Sequence, residues 1–96
     1  MSNVRKVIMV NPPAEVDVFS APGFADEISV AVEADPDVLV IDCAHVSFMD
    51  TAGIDVIRSA QSVMAGRGGR LRVRHAAPHL RILLDLAAEA EDNSTG

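Results

Sequence analysis

The sequence predicts a single α/β domain. Three observations carry that expectation. Val38-Leu39-Val40-Ile41 is a continuously apolar run of strand length, the pattern of a central strand covered on both faces. Segments of helical period separate that run from shorter strand patterns on either side. The chain has 96 residues, enough for one core and not two. The expected order is β-β-α-β-α-β-α. Strand–helix–strand units require right-handed crossovers and parallel neighbours, while an opening hairpin adds an antiparallel pair. The expectation is therefore a small mixed, mostly parallel sheet covered by helices. Its core spans about residues 4–88, and residues 89–96 form a frayed tail.

Each element has a local reason. Val4 to Val10 reads as a strand centred on Val7-Ile8-Met9-Val10, and Asn11-Pro12-Pro13 breaks it because proline lacks the ladder amide. Glu15-Val16-Asp17-Val18-Phe19 alternates with period two and reads as a second strand, hairpinned to the first across the short gap. Ser20 as N-cap, followed by Pro22, starts a helix that carries Phe24, Ile28, Ala31 and Val32 on one face. Glu33-Ala34-Asp35-Pro36 stops it. The central strand runs from Val38 to Cys43. After Asp50 a second helix places Ile54, Ile57, Gln61 and Met64 near one stripe, with Val56, Ala60 and Val63 beside it. Gly66-Arg67-Gly68-Gly69 ends that helix, with glycine available for a left-handed cap. Leu71-Arg72-Val73-Arg74 alternates as a strand, and Pro78 opens a last helix with Leu80, Leu83, Leu84 and Ala87 on its apolar side.

Composition excludes several function classes. Hydrophobic residues are 49% of the chain, so a packed core is expected and disorder is not. Aromatics are only 3%, with no Trp and no Tyr, which leaves few stacking platforms for bases or sugars. Eight basic against fourteen acidic residues give a net charge of -6, which disfavours nucleic acid and anionic membrane. Arg67, Arg70, Arg72 and Arg74 cluster, and read as a solvated turn and strand face rather than a phosphate-binding patch. Cys43 is alone, consistent with a reducing cytoplasm and a small core residue. No apolar run approaches a membrane span and no signal-peptide pattern opens the chain, so a cytoplasmic protein without membrane insertion is expected. His45, His75 and His79 lack metal-ligand spacing, and no metal or other cofactor is expected. No nucleophile elbow, P-loop or dinucleotide fingerprint occurs, and nothing sets Asp42 and Asp50 up as an acid/base pair. An enzyme is not expected.

The stretch Phe48-Met49-Asp50-Thr51-Ala52-Gly53 joins the central strand's loop to a helix. A hydroxyl at such a junction is exposed, rigidly placed and close to the positive end of a helix dipole. Thr51 either caps the helix or accepts a modification. Asp50 either caps or contributes to recognition, and the two are compatible. Gly53 has no propensity reason to sit in a first helical turn, and reads as a point where a partner's backbone comes close.

This element order, with Val38-Leu39-Val40-Ile41-Asp42 followed by Val46-Ser47-Phe48-Met49-Asp50-Thr51-Ala52-Gly53-Ile54, resembles the STAS family. Its small single-domain members are the bacterial anti-sigma factor antagonists. Glu15-Val16-Asp17, Ala21-Pro22 and Gly68-Gly69-Arg70-Leu71 fit the same pattern, so the resemblance runs from about Val7 to Leu86. Three departures stand out. Ala14 replaces a customary Gly, Ala52 replaces a second hydroxyl, and Leu86-Ala87-Ala88-Glu89 replaces a Gly-Leu ending with no final strand after it. The resemblance implies that an anti-sigma factor serine/threonine kinase phosphorylates Thr51. The unphosphorylated form would bind that kinase and release the sigma factor, and a Ser/Thr phosphatase would reset the switch. It implies partner contacts at Asp17, Asp50, Thr51, Ala52, Gly53 and Asp55, and a monomer or weak dimer. A competing reading keeps the fold and makes the chain a STAS subunit docked on the ATPase of a lipid-transport ABC system, with Thr51 never phosphorylated.

Overall fold

The longest apolar run becomes the centre of the molecule. The computed structural model describes the backbone of residues 5–94 and the side chains of residues 5–86. In chain order the elements are β1 (Val7–Val10), β2 (Glu15–Val16), α1 (Ala21–Glu33), β3 (Val38–Asp42), β4 (Phe48–Met49), α2 (Thr51–Gly66), β5 (Arg70–Arg74) and α3 (Pro78–Ser94). Strands β1, β3 and β5 form a parallel sheet with β3 in the middle, while β2 and β4 form a separate parallel pair. The expected α/β class and element order are observed, with β4 added. Val4, expected to open the first strand, lies outside the described residues.

The expected antiparallel hairpin does not form. Every strand pair among the described residues is parallel, and β2 finds its partner in β4 rather than in β1. Asn11-Pro12-Pro13 breaks β1 but offers no tight turn back, since each proline fixes φ and removes a donor. The chain continues forward instead. Ala14 O then accepts from the amides of Ser47 at 2.8 Å and Phe48 at 3.2 Å. The second strand is also shorter than its alternation suggests. It stops at Val16, because residues 17–20 form a turn.

Strand alternation divides the main sheet into two faces. Ile8, Leu39 and Leu71 share one register position, and Val10, Ile41 and Val73 share another on the same face. That face packs under Phe24, Ile28, Ala31 and Val32 of α1 and Ile54, Ile57, Ala60 and Met64 of α2, with Leu80 of α3 completing the core. Phe24, Leu39, Ile41 and Ile57 are fully enclosed, each worth about 1.5–3 kcal/mol of transfer free energy. Val38 and Val40 on the opposite face are also buried, as expected of a central strand. Their lateral neighbours Arg70 and Arg72 are exposed, in keeping with a solvated arginine face. Gln61 and Val63, expected along the second helix's apolar side, are exposed.

Helix ends show how local chemistry sets the element boundaries. Ser20 precedes α1 but does not cap it with its side chain. Its hydroxyl donates to Glu15 O at 2.9 Å and accepts from Asp17 N at 3.0 Å, locking the preceding turn. Helix α2 ends in a Schellman arrangement: Gly69 N donates to Met64 O at 2.8 Å and Gly68 N to Ala65 O at 3.1 Å. Gly68 supplies the left-handed residue that this geometry needs, at φ +79°. Helix α3 extends through Ser94, so the expected frayed tail is helical to that point. Ala87-Ala88-Glu89-Ala90-Glu91 contains no breaker and consists of strong helix formers. Thr95 and Gly96 lie outside the described residues.

Candidate functional site

The site is built where the small β2–β4 sheet meets the start of α2. Val16 pairs with Met49, and Asp50 N donates to Val16 O at 3.0 Å. Asp17 and Asp50 directly follow this pair in their two segments. Two segments more than thirty residues apart in sequence are thus fastened together just before the helix begins.

Asp50 is the N-cap of α2. Its extended backbone and its carboxylate, which accepts from Ala52 N at 2.9 Å, satisfy one of the helix's free amides. Capping therefore falls to Asp50, and Thr51 is the first helical residue, exposed to solvent. Its hydroxyl makes no hydrogen bond to another described residue, which leaves it available at the positive end of the α2 dipole. Asp55 lies one turn further along the same helix, exposed, and pairs with Arg58 at 3.3 Å. Ala52 is half-buried.

Gly53 has a different role from the expected one. It is buried, and a Cβ there would sit 2.6 Å from Met49 Cγ and 2.6 Å from Val16 Cγ1. The close approach is internal: the missing side chain lets the first turn of α2 rest on the β2–β4 pair. Glycine here fixes the height at which Thr51 is presented.

Asp17 likewise turns out to be committed to its own chain. Its Oδ1 accepts from Phe19 N at 2.9 Å and from Ser20 N at 3.0 Å. The Ser20 amide, then the Phe19 amide, hold its carboxyl below the ordinary aspartate value. An Asp whose side chain accepts from amides two and three residues ahead is an Asx-type turn. The pattern Asp17-Val18-Phe19-Ser20 carried that signal, but the period-two alternation masked it. Two further features escaped the sequence reading: β4 itself, and the exposure of Val18, Phe19 and Phe48 around the site.

Asp42, at the end of β3, belongs to a different cluster. It bonds His75 Nδ1 at 3.0 Å and accepts from Ala44 N at 3.0 Å. His75, then the Ala44 amide, hold its carboxyl below the usual value. Cys43 beside it is buried, and that burial raises its thiol pKa. No helix among the described residues is long and apolar enough to cross a membrane.

Comparison with known proteins places this geometry. A family model for the STAS domain matches residues 2–93. The anti-sigma-B factor antagonist of Bacillus subtilis (strain 168) is 32% identical over 79 residues, 82% of this chain and 72% of that one. The fold is similar to the Bacillus cell fate determinant SpoIIAA in its phosphorylated form, with a TM-score of 0.72 at 17% identity over 91% of this chain and 79% of that one. It is similar to the unphosphorylated anti-sigma factor antagonist SpoIIAA as well, with a TM-score of 0.73 at 18% identity over 100% of this chain and 96% of that one.

Proposed function

The chain belongs to the STAS domain family, and from that premise we propose that it is an anti-sigma factor antagonist switched by phosphorylation of Thr51. The observation that carries the proposal is the pairing of Asp50 as cap with Thr51 as an exposed first helical residue. The helix is capped by Asp50 without the threonine hydroxyl, so that hydroxyl can change chemistry without removing the cap of α2.

In the proposed reaction the Thr51 hydroxyl oxygen attacks the γ-phosphorus of ATP held by the anti-sigma factor kinase. The new bond joins that oxygen to phosphorus, the bond to the β-phosphate oxygen breaks, ADP leaves, and the hydroxyl proton passes to the kinase. This chain contributes the acceptor and its placement, not the catalytic groups. The added phosphate brings about -1.5 to -2 charge. The α2 dipole favours it by about 0.3–1 kcal/mol, while the nearby carboxylates of Asp50 and Asp55 oppose it. Those local effects partly cancel. Taking an unpaired dianion into an interface costs several kcal/mol, so phosphorylation acts by excluding the partner. Similar agreement of this fold with both forms of SpoIIAA supports a switch without refolding. A Ser/Thr phosphatase would restore the binding form.

Intact-mass spectrometry after incubation with ATP and each anti-sigma kinase from the same genome tests this. One added phosphate that maps to Thr51, absent in Thr51→Ala, is expected. A folded protein that takes no phosphate from any of them contradicts it.

A further inference from the structure

Only three aromatic residues occur in the chain, all phenylalanine. Phe24 is in the core at 1% exposure. The other two lie on the two segments that lead out of β2 and into α2. Phe19 is 90% exposed, the highest value for a large hydrophobic among the described residues, its neighbour Val18 is 64% exposed, and Phe48 is 49% exposed. A single exposed apolar side chain is ordinary, but the location of this group is not arbitrary. Phe48 lies in β4, two residues before the Asp50 cap. Phe19 lies in the turn that leaves β2, the strand paired with β4.

The Phe19 turn is held by a dense set of bonds. Asp17 Oδ1 accepts from Phe19 N and Ser20 N, Ser20 Oγ bridges Glu15 O and Asp17 N, and Ala21 N donates to Asp17 O at 2.8 Å. A fixed backbone under an almost fully exposed ring is a preorganised anchor, since less conformational freedom remains to be lost on binding. Exposed aromatics that insert into a partner's pocket dominate protein interfaces in this way.

We infer that Phe19, supported by Phe48, is the apolar anchor by which this chain docks on the kinase that phosphorylates Thr51, and that Asp17 is a positioning residue for Phe19. The inference rests on the function proposed above and names the surface that selects the partner. The matching kinase face has an apolar socket for Phe19. Basic groups rim that socket, opposite Glu15, Asp50 and Asp55. Asp17 acts through the oxygen that holds two amides, so its negative charge is not what the partner reads.

The test uses the kinase that labels the wild-type chain, with steady-state kinetics for each variant as protein substrate and a melting curve beside each. Phe19→Ala is expected to raise KM by about tenfold or more, the loss typical of a truncated hot spot, with kcat and melting temperature retained. Asp17→Ala should raise KM in the same way, and the double variant should be no worse than Phe19→Ala alone, because both remove one anchor. Asp17→Asn keeps an oxygen for the two amides and should stay near wild type. A Phe19→Ala chain phosphorylated as efficiently as wild type would overturn the anchor while leaving the Thr51 switch intact. An Asp17→Asn chain as impaired as Asp17→Ala would show that charge, not positioning, is read there. If no kinase labels the wild-type chain, the parent reading fails and the anchor assignment falls with it.

Discussion

The Thr51 hydroxyl carries no capping duty because its neighbours supply the local structure. Asp50 caps the helix through its bond to Ala52 N, and Gly53 seats the first turn on Val16 and Met49. Gly53→Ala tests that second role. The added methyl would meet the Val16 and Met49 side chains near their attachment points, and both are buried, so neither can swing aside cheaply. The expected outcome is a loss of about 1–3 kcal/mol in chemical denaturation, the cost of overpacking. Phosphorylation of the fraction that stays folded should slow because the acceptor is displaced. An unchanged denaturation midpoint would show that the packing relaxes freely. The Asp50 cap and the exposure of Thr51 and Asp55 were legible in the sequence because they are set by neighbours in the chain. Gly53 was singled out correctly for a different reason, since the residues that press on it come from two other segments.

At the scale of elements, two carboxylates fasten the turns that follow β2 and β3. Asp17 holds residues 19 and 20, and Asp42 holds Ala44 and the His75 ring. Both have carboxyls held below their ordinary value in the folded chain. A depressed folded pKa gives stability that is present above the unfolded value, near about 4, and is lost as pH falls through the folded value. Thermal unfolding should therefore show little dependence on these two groups at neutral pH and a falling melting temperature below about pH 4. In Asp17→Asn/Asp42→Asn that acid-side decline should be shallower, and an identical decline would remove these carboxylates from the account. The central strand and the bodies of all three helices were legible because their signals are local: an unbroken apolar run, a 3.6-residue stripe, Pro at a start and Gly at a stop. The hairpin was misread for the converse reason. Glu15-Val16 alternates as a strand should, but alternation carries no partner. Its partner, Phe48-Met49, is only two residues long and lies far along the chain. The reach of Phe19 was hidden by the same alternation, which an Asx turn at Asp17 interrupts.

At the scale of the whole molecule, a continuous core presents the exposed hydroxyl of Thr51, the proposed phosphoacceptor. The three-stranded sheet and helices α1 and α2 form one continuous core, and α2 carries Thr51 at its end as a firm extension of that core. In this acidic chain, at net charge -6, the proposed phosphate on Thr51 would stand among carboxylates. Among the described residues the nearby arginines are already engaged: Arg58 pairs with Asp55 at 3.3 Å, and Arg67 donates to Val32 O at 3.2 Å. An added dianion therefore stays exposed to solvent in the free protein and becomes costly only when a partner covers it.

The affinity of the purified anti-sigma kinase for three forms of this chain tests that claim most directly: unmodified, phosphorylated on Thr51, and Thr51→Ala. Unmodified protein and Thr51→Ala should bind alike, with superimposable melting curves. The phosphorylated form should bind about 100-fold more weakly or worse, as a cost of several kcal/mol requires. Equal affinity of the phosphorylated and unmodified forms would contradict the account.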